Sequence, residues 1–285
     1  VPRLPPWIRQ PLRTDRHYGA VQQVLADLGL HTVCRSAHCP NQQECWNRGT
    51  ATFMILGNTC TRVCQFCNVT TGRPAAPDAD EPQRLAKAAQ KMKLRHVVIT
   101  SVTRDDLPDG GAAHFAATIT AVRAAVPSAL IEVLTPDFGG ATTALDIVLA
   151  ARPDVFNHNL ETVRRLQPDV RPQANYERSL GVLRHAAAFL PRPTVKSGLM
   201  VGLGETDDEL LEAFRDLRAA GCELLTVGQY LRPKNSKREV ARFVSPADFA
   251  RLEAEARALG FRAVAAGPLV RSSYRAEELT QVAAG

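Results

Sequence analysis

The chain lacks any run approaching the ~20 uninterrupted apolar residues that a membrane span needs. Its first residues, Val1-Pro2-Arg3-Leu4-Pro5-Pro6-Trp7, hold no apolar stretch of the secretory kind. It also lacks low-complexity tracts and a polybasic tail, which excludes a disordered or fibrous chain and argues against one that wraps nucleic acid. The expectation is a cytoplasmic protein with no membrane and no nucleic-acid partner. What is present suits a globular chain: 285 residues, 45% hydrophobic and 22% charged. That length is within reach of one α/β barrel, and a fold of this size hides roughly 75% of its unfolded surface. The formal net charge of +6 is spread along the chain, so it favours acidic partners without naming one.

Cysteine is scarce too, at seven residues, yet six of them fall between Cys34 and Cys67. A secreted disulfide framework is a small chain with dispersed cysteines. Clustered thiols in a chain large enough to build its own core read instead as a metal site. Cys60-Thr-Arg-Val-Cys64-Gln-Phe-Cys67 puts three soft thiolates on one short loop, which suits an iron–sulfur cluster or a zinc with a distant fourth ligand. A 4Fe–4S cluster held by three cysteines keeps one iron open to a substrate or cofactor. Earlier in the chain, Cys34-Arg-Ser-Ala-His-Cys39-Pro-Asn-Gln-Gln-Glu-Cys45 forms another group of three, the first trio in chain order. Alone it reads as a zinc site or buried thiols; beside the other trio it argues for a second cluster, with His38 a candidate further donor. Cys222 stands apart and reads as a small buried hydrophobe.

Tyr18 to Gly29 has helical spacing, with Val21, Val24, Leu25 and Leu28 on one face and a glycine stop. From Thr50 on, apolar runs at 51–56, 96–102, 130–134, 154–160, 194–201 and 224–231 alternate with helical patterns near 83–93, 112–125, 142–151, 176–190, 206–220 and 246–259. Thr206 to Glu209 and Ser245 to Asp248 are helix starts. Six βα repeats predict a parallel α/β sheet, either doubly wound or an open partial barrel. Polar residues at the strand ends favour the barrel: Thr100, Ser101, Asp137, Asn159, Glu161, Lys196, Ser197 and Gln229. The expected layout is an amino-terminal extension over 1–49 carrying the first trio, a partial (β/α)6 barrel of TIM type over 50–261, and a closing segment and tail over 262–285.

The second trio, with Phe66 before its last cysteine, resembles the signature of the radical S-adenosylmethionine (SAM) superfamily. The resemblance implies a 4Fe–4S cluster on Cys60, Cys64 and Cys67 whose open iron chelates SAM, and an electron that splits SAM to a 5′-deoxyadenosyl radical. Seven motifs together resemble the lipoyl synthase family. They begin at Cys34-x4-Cys39-Pro-Asn-x3-Cys45-Trp46, Gly49-Thr-Ala-Thr-Phe, Cys60-Thr-Arg, Ile99-Thr-Ser-Val, Phe156-Asn-His-Asn-Leu-Glu161, Lys196-Ser-Gly-Leu-Met-Val and Gly267-Pro-x-Val-Arg-Ser-Ser-Tyr274, and span residues 30 to 276. Arg35 and Ser36, where that family more often has acidic residues, and Lys237 to Val240 depart from its pattern.

This resemblance implies a second, auxiliary 4Fe–4S cluster on Cys34, Cys39 and Cys45, its fourth ligand a serine of Arg271-Ser-Ser-Tyr274. We take it to be Ser273 ahead of Ser272. The auxiliary cluster is then consumed as the sulfur source for carbons 6 and 8 of a protein-bound octanoyl-lysine. The implied partners are octanoylated lipoyl carrier domains or an H-type carrier protein, an electron donor such as ferredoxin or flavodoxin, and an iron–sulfur carrier for rebuilding. Candidate SAM contacts are Ser101, Asn159, Glu161, Arg171 (through its fork, if it is not a surface ion pair) and Gly202, in a glycine-rich turn after a strand. The basic residues Arg232, Lys234, Lys237, Arg238 and Arg242 are expected to face an acidic carrier. A two-cluster methylthiotransferase would carry an RNA-binding domain for which no residues remain, and a non-enzymatic electron-transfer iron–sulfur protein would need no βα repeats.

Overall fold

A computed structural model describes residues 4–8, 16–37, 39–47, 51–233, 236 and 238–284. The amino-terminal region holds α1 (Arg16–Asp27), β1 (His31–Thr32), α2 (Val33–Ser36) and α3 (Gln42–Asn47). Then come β2 (Thr52–Ile55), the short pair β3 (Thr59–Cys60) and β4 (Thr70–Thr71), α4 (Glu81–Lys91), β5 (His96–Ser101), α5 (Ala112–Ala125), β6 (Leu130–Leu134) and α6 (Thr142–Ala150). The second half runs β7 (Val155–Asn157), α7 (Gln167–Val170), α8 (Tyr176–Ala188), β8 (Thr194–Val201), α9 (Asp207–Ala219), β9 (Leu224–Gln229), α10 (Pro246–Ala258), β10 (Ala263–Gly267) and α11 (Ala276–Ala284).

The strands order themselves β1-β2-β5-β6-β7-β8-β9-β10, each beside its neighbour in sequence. A doubly wound sheet reverses its order at a switch point; this one never does, as a barrel wall requires. All pairs are parallel except β1 on β2. The six expected βα units are present, and the closing segment adds a seventh parallel strand, β10, registered on β9 from Ala263–Leu224 to Gly267–Gly228. Both foreseen helix starts form: Thr206 and Glu209 make a reciprocal capping box on α9, and the Ser245 hydroxyl accepts from the Asp248 amide to start α10. Val21 and Leu25 of α1 are buried. Cys222 is fully buried, as a small hydrophobe would be.

Two polar residues sit differently from their sequence reading: Ser197, the fourth residue of β8, lies mid-strand and buried, and so does Lys196. Lys196 is the third residue of the eight-residue β8, in its amino-terminal half and not at its carboxyl end. There it is fully buried and pairs with Glu132 of β6 at 2.8 Å. His96 Nε2 lies 3.1 Å from the other oxygen of the same carboxylate, and Asn157 donates to the oxygen that Lys196 holds, at 3.3 Å. Below this layer α11 covers the amino-terminal ends of the strands, where Leu279 packs on Val155, Leu224 and Ala263. Arg95, just before β5, pairs with Glu277 at 2.9 Å. The carboxyl ends of the strands are left for a site. Among the described residues no helix is long and apolar enough to cross a membrane.

Candidate active site

The loop from Cys60 to Cys67 leaves the carboxyl end of β2 and is clipped at its base by the β3–β4 pairing of Thr59–Thr70 and Cys60–Thr71. The turn entering it is held from two sides. The Leu56 amide donates to the buried Glu81 carboxylate at 2.8 Å, and Arg104 donates to the Leu56 carbonyl at 3.3 Å. Within the loop, Arg62 is buried. Its guanidinium forks onto Asp105 after β5, with both bonds 2.7 Å, and meets Asp137 after β6 at 2.8 Å. Burial alone would raise the Asp137 carboxyl, but Arg62 overcomes it and holds the pKa down at about 2. The Gln65 amide donates to the Val170 carbonyl, and Ser236 donates to the Gln65 carbonyl at 2.6 Å. Four barrel-end segments, those after β5, β6, β7 and β9, thus fix one loop.

Arg62→Met leaves Asp137, whose side chain is fully buried, with Arg178 at 3.3 Å as its remaining ion pair. We expect a loss of ~3–5 kcal/mol of stability and fewer irons retained after anaerobic reconstitution. Denaturant melts and iron analysis check this; unchanged iron content would show that Arg62 does not support the loop.

The thiols of this loop fit an iron–sulfur group. The Cys60 sulfur accepts amide hydrogens from Thr103 at 3.3 Å and Arg62 at 3.4 Å, and the Cys67 sulfur accepts from Val69 at 3.5 Å. Amides aimed at sulfur stabilise thiolates and tune such clusters. Burial pushes the Cys64 thiol up, with Arg171 the strongest opposing charge, so a cationic core is what lets three thiolates share this space. Among the described residues, no three His, Cys, Asp or Glu side chains converge on a point for a single metal ion.

Four of the five predicted SAM contacts lie at or beyond the carboxyl ends of β5 and β7. Ser101 ends β5, in register with Ile55 of β2, and its hydroxyl is buried without a hydrogen-bond partner. Asn159 donates to Glu161 at 3.1 Å, while its own Oδ1 is buried and unpartnered. Glu161 holds a left-handed backbone, φ 70°, locked by bonds to Gly198 and Met200 of β8; such strain in a non-glycine residue concentrates at functional sites. Burial pushes its carboxyl up, against Arg171 and Asn159. Arg171 is no surface ion pair: it is 8% exposed, donates to the Asn159 carbonyl at 3.1 Å and keeps a buried, unpartnered Nε. These orphaned donors and acceptors fit a zwitterionic amino-acid head beside Cys64.

Gly202 is accounted for by packing. Its φ is 93°, and a side chain there would collide with Gln229 and the Arg242 carbonyl. Its amide and that of Leu203 donate to the Glu205 carboxylate at 2.6 and 2.8 Å.

The first trio lies on α2, α3 and the turn between them. Its Cys34 is buried, and Cys39 sits close enough to share its electrostatic field. His38 lies outside the described residues. The trio is tied to the cysteine loop, because Asn68 donates to the Ser36 carbonyl at 3.1 Å. Across more than 200 residues of sequence, the Gly267 to Arg275 segment folds onto it. Asn41 donates to the Leu269 carbonyl at 2.6 Å, Thr52 to the Ser273 hydroxyl at 2.8 Å, and Tyr274 and Arg275 both bond Glu44. Thr52 in turn lies beside Cys34, where burial pushes the thiol up and Thr52 partly offsets it. The Trp46 indole N–H, fully buried beside Cys34, has no hydrogen-bond partner of good geometry. Orphaned N–H groups of this kind suit a sulfide-rich group.

Arg62 and Asp137 were not foreseen as a pair. The signal was an arginine between two cysteines and an acid after a strand, but nothing local joins residues 75 apart. The basic loop after β9 is less free than its composition suggested. Arg232 pairs with Glu239, Arg238 donates to the Leu203 carbonyl and Arg242 pairs with Asp207. Lys234 and Lys237 lie outside the described residues.

The family description "Radical SAM superfamily" matches residues 54–217. Among curated proteins, the chain is 57% identical to the lipoyl synthase of Thermus thermophilus over 96% of this chain and 86% of that one. It is 54% identical to the lipoyl synthase of Rubrobacter xylanophilus, covering 97% and 86%, and 55% identical to that of Oleidesulfovibrio alaskensis, covering 98% and 95%. Among solved structures, the FeFe-hydrogenase maturase HydG from Carboxydothermus hydrogenoformans aligns with a TM-score of 0.61 at 16% identity, over 81% of this chain and 55% of that one. Methylornithine synthase aligns with a TM-score of 0.53 at 13% identity, over 90% and 84%. The two structures speak to the fold alone, an open parallel α/β barrel. The identities speak to more: the chain belongs to the lipoyl synthase family, within the radical SAM superfamily.

Proposed function

We propose that Cys60, Cys64 and Cys67 hold the SAM-binding 4Fe–4S cluster and that Cys34, Cys39, Cys45 and Ser273 hold a second one. The enzyme inserts sulfur into a protein-bound octanoyl chain, at carbons 6 and 8. Membership of the superfamily brings one 4Fe–4S cluster and SAM; the second cluster is our reading. The observation that carries it is the fold of the Arg271 to Tyr274 segment onto the first trio, which brings a hydroxyl to Thr52 next to Cys34.

When bound, the two groups supply an electron that cleaves SAM to a 5′-deoxyadenosyl radical and a store of sulfide. The chain's own residues do the positioning. Backbone amides of Arg62, Thr103 and Val69 orient the Cys60 and Cys67 sulfurs. Arg171, Asn159 and Ser101 offer donors and acceptors to the amino-acid end of SAM, fixing where the radical forms. Ser236 and Arg238 tie the loop after β9 to the cysteine loop and to Leu203, narrowing the approach of water. A carrier domain bearing the octanoyl group, either a lipoyl carrier domain or an H-type protein, must enter at the same strand ends. A ferredoxin or flavodoxin is the proposed electron donor, and an iron–sulfur carrier restores the spent sulfide. The seven free cysteines support a reducing, cytoplasmic setting.

Serine oxygen is a harder ligand than thiolate, so the iron it holds is the one released most readily. Ser273→Ala is therefore expected to lose lipoyl product. Ser273→Cys is expected to retain its irons longer under a chelator while making less product. Product by mass spectrometry and iron by chelation read both; full product from Ser273→Ala and none from Ser272→Ala would transfer the role to Ser272.

A further inference from the structure

We propose that Arg271 supplies the fixed positive charge against which the second cluster is held. This rests on the two-cluster reading above. After β10 the chain turns, with the Val270 amide donating to the Gly267 carbonyl at 3.1 Å. The turn lays the Val270 carbonyl over Gly228 of β9, where any side chain would collide with it. Gly228 lies next to the last residue of β9, so this segment folds back across the carboxyl end of the barrel, between it and the first trio. The residues on either side are pinned, Leu269 by Asn41 and Ser273 by Thr52. The guanidinium stays close to β9, its Nη1 within 3.4 Å of where a Gly228 side chain would begin.

The bonds of Leu269 to Asn41 and of Tyr274 to Glu44 set the segment that carries Arg271 against residues flanking Cys39 and Cys45. Arg62 meets Asp105 and Asp137, Arg275 meets Glu44, and Arg35 of the first trio is exposed to solvent. Arg271 is paired with none among the described residues. Its hydrogen bond runs from Nη1 to the carbonyl of its own neighbour, Val270, at 2.7 Å. A sheltered guanidinium without a counter-ion is destabilising. A 4Fe–4S(2+) core with three thiolates carries about −1, which is the missing counter-ion. Reduction adds another negative charge, so a nearby cation raises the potential and resists loss of the anionic core.

The test uses the full chain, anaerobically reconstituted with both clusters, with the SAM-binding cluster as internal reference. Redox titration followed by electron paramagnetic resonance and the rate of iron loss to a chelator are compared for the unaltered protein, Arg271→Met, Arg271→Gln and Arg271→Lys. The two neutral variants should shift the second cluster's potential to more negative values and speed its iron loss several-fold. Arg271→Lys, which keeps the charge but not the fork, should recover most of both. An unmoved potential in whichever neutral variant folds, or an Arg271→Lys as defective as Arg271→Met, would overturn the charge role, since packing alone does not distinguish charge from neutrality. About four irons in the unaltered chain would overturn the two-cluster reading and this inference together; about eight with an unmoved potential would overturn this inference alone.

Discussion

Alanine at Cys34, Cys39 or Cys45 is expected to leave SAM cleavage running while sulfur insertion stops. Alanine at Cys60, Cys64 or Cys67 is expected to stop both. The division follows from where the trios sit. The second lies on a loop clipped to β2, β5 and α7 beside the orphaned donors and acceptors of Arg171, Asn159 and Ser101. The first lies on α2 and α3, covered by the carboxy-terminal segment. Each single variant should retain about four of about eight irons. The bond from Asn68 to the Ser36 carbonyl links the trios mechanically, so a modest fall in cleavage rate is compatible with the account. Equal abolition of 5′-deoxyadenosine in both sets of variants is not.

A loss of stability as large as that expected of Arg62→Met should come from Lys196→Met. Lys196 and Glu132 are both fully buried and 2.8 Å apart. Breaking such a pair leaves a buried charge uncompensated and costs about 3–5 kcal/mol, whereas replacing both partners by apolar residues is often neutral. Lys196→Met should therefore melt at lower denaturant, and adding Glu132→Leu should restore much of the loss. The pH dependence carries a sign. Burial would raise the Glu132 carboxyl, but Lys196 and then His96 reverse this and bring it down to about 2. Its contribution in the unaltered chain is present above the ordinary carboxylate value of 4.5 and is lost as pH falls towards about 2. Without Lys196 the carboxyl rises, so its neutral form is favoured in the fold and stability is lost as pH rises through the new value. The gap between variant and unaltered protein should narrow from pH 7 to pH 4. A constant gap would mean that Glu132 is not charged in the fold.

The elements legible in the sequence were those written in local spacing. A period of two or of 3.6 residues located the strands and helices, and cysteine spacing located the loop that ends β2. The run at 154–160 shows the limit: its pairing as β7 stops at Asn157, because His158 turns to bond the Thr135 carbonyl and Ser179, and Glu161 takes a left-handed backbone. Lys196 looked like a strand-end polar residue because sequence gives no register; the ladder sets it level with Asn157 and sets Glu132 level with Val155, two residues earlier, so only the fold brings the two side chains together across β7. The glycine-rich turn reads both as a tight turn and as a ligand cradle, and the tight turn is what Gln229 and the Arg242 carbonyl require of Gly202. The serine and arginine of the tail were visible as residues but not as neighbours of the first trio, because their contacts cross more than 200 positions. Spacing rules reach along a helix or strand, while the site is assembled by tertiary contacts.

The central claim is that the first trio holds a second cluster and that this cluster gives up the sulfur. Reconstitute the chain with isotopically heavy sulfide, remove free sulfide, and run a single turnover with SAM, a reductant and an octanoyl-lysine peptide. The account predicts heavy sulfur at both carbon 6 and carbon 8 of the product, and no labelled product when Cys39 is alanine although 5′-deoxyadenosine still forms. Product carrying unlabelled sulfur, or full labelling in the Cys39→Ala variant, would contradict it.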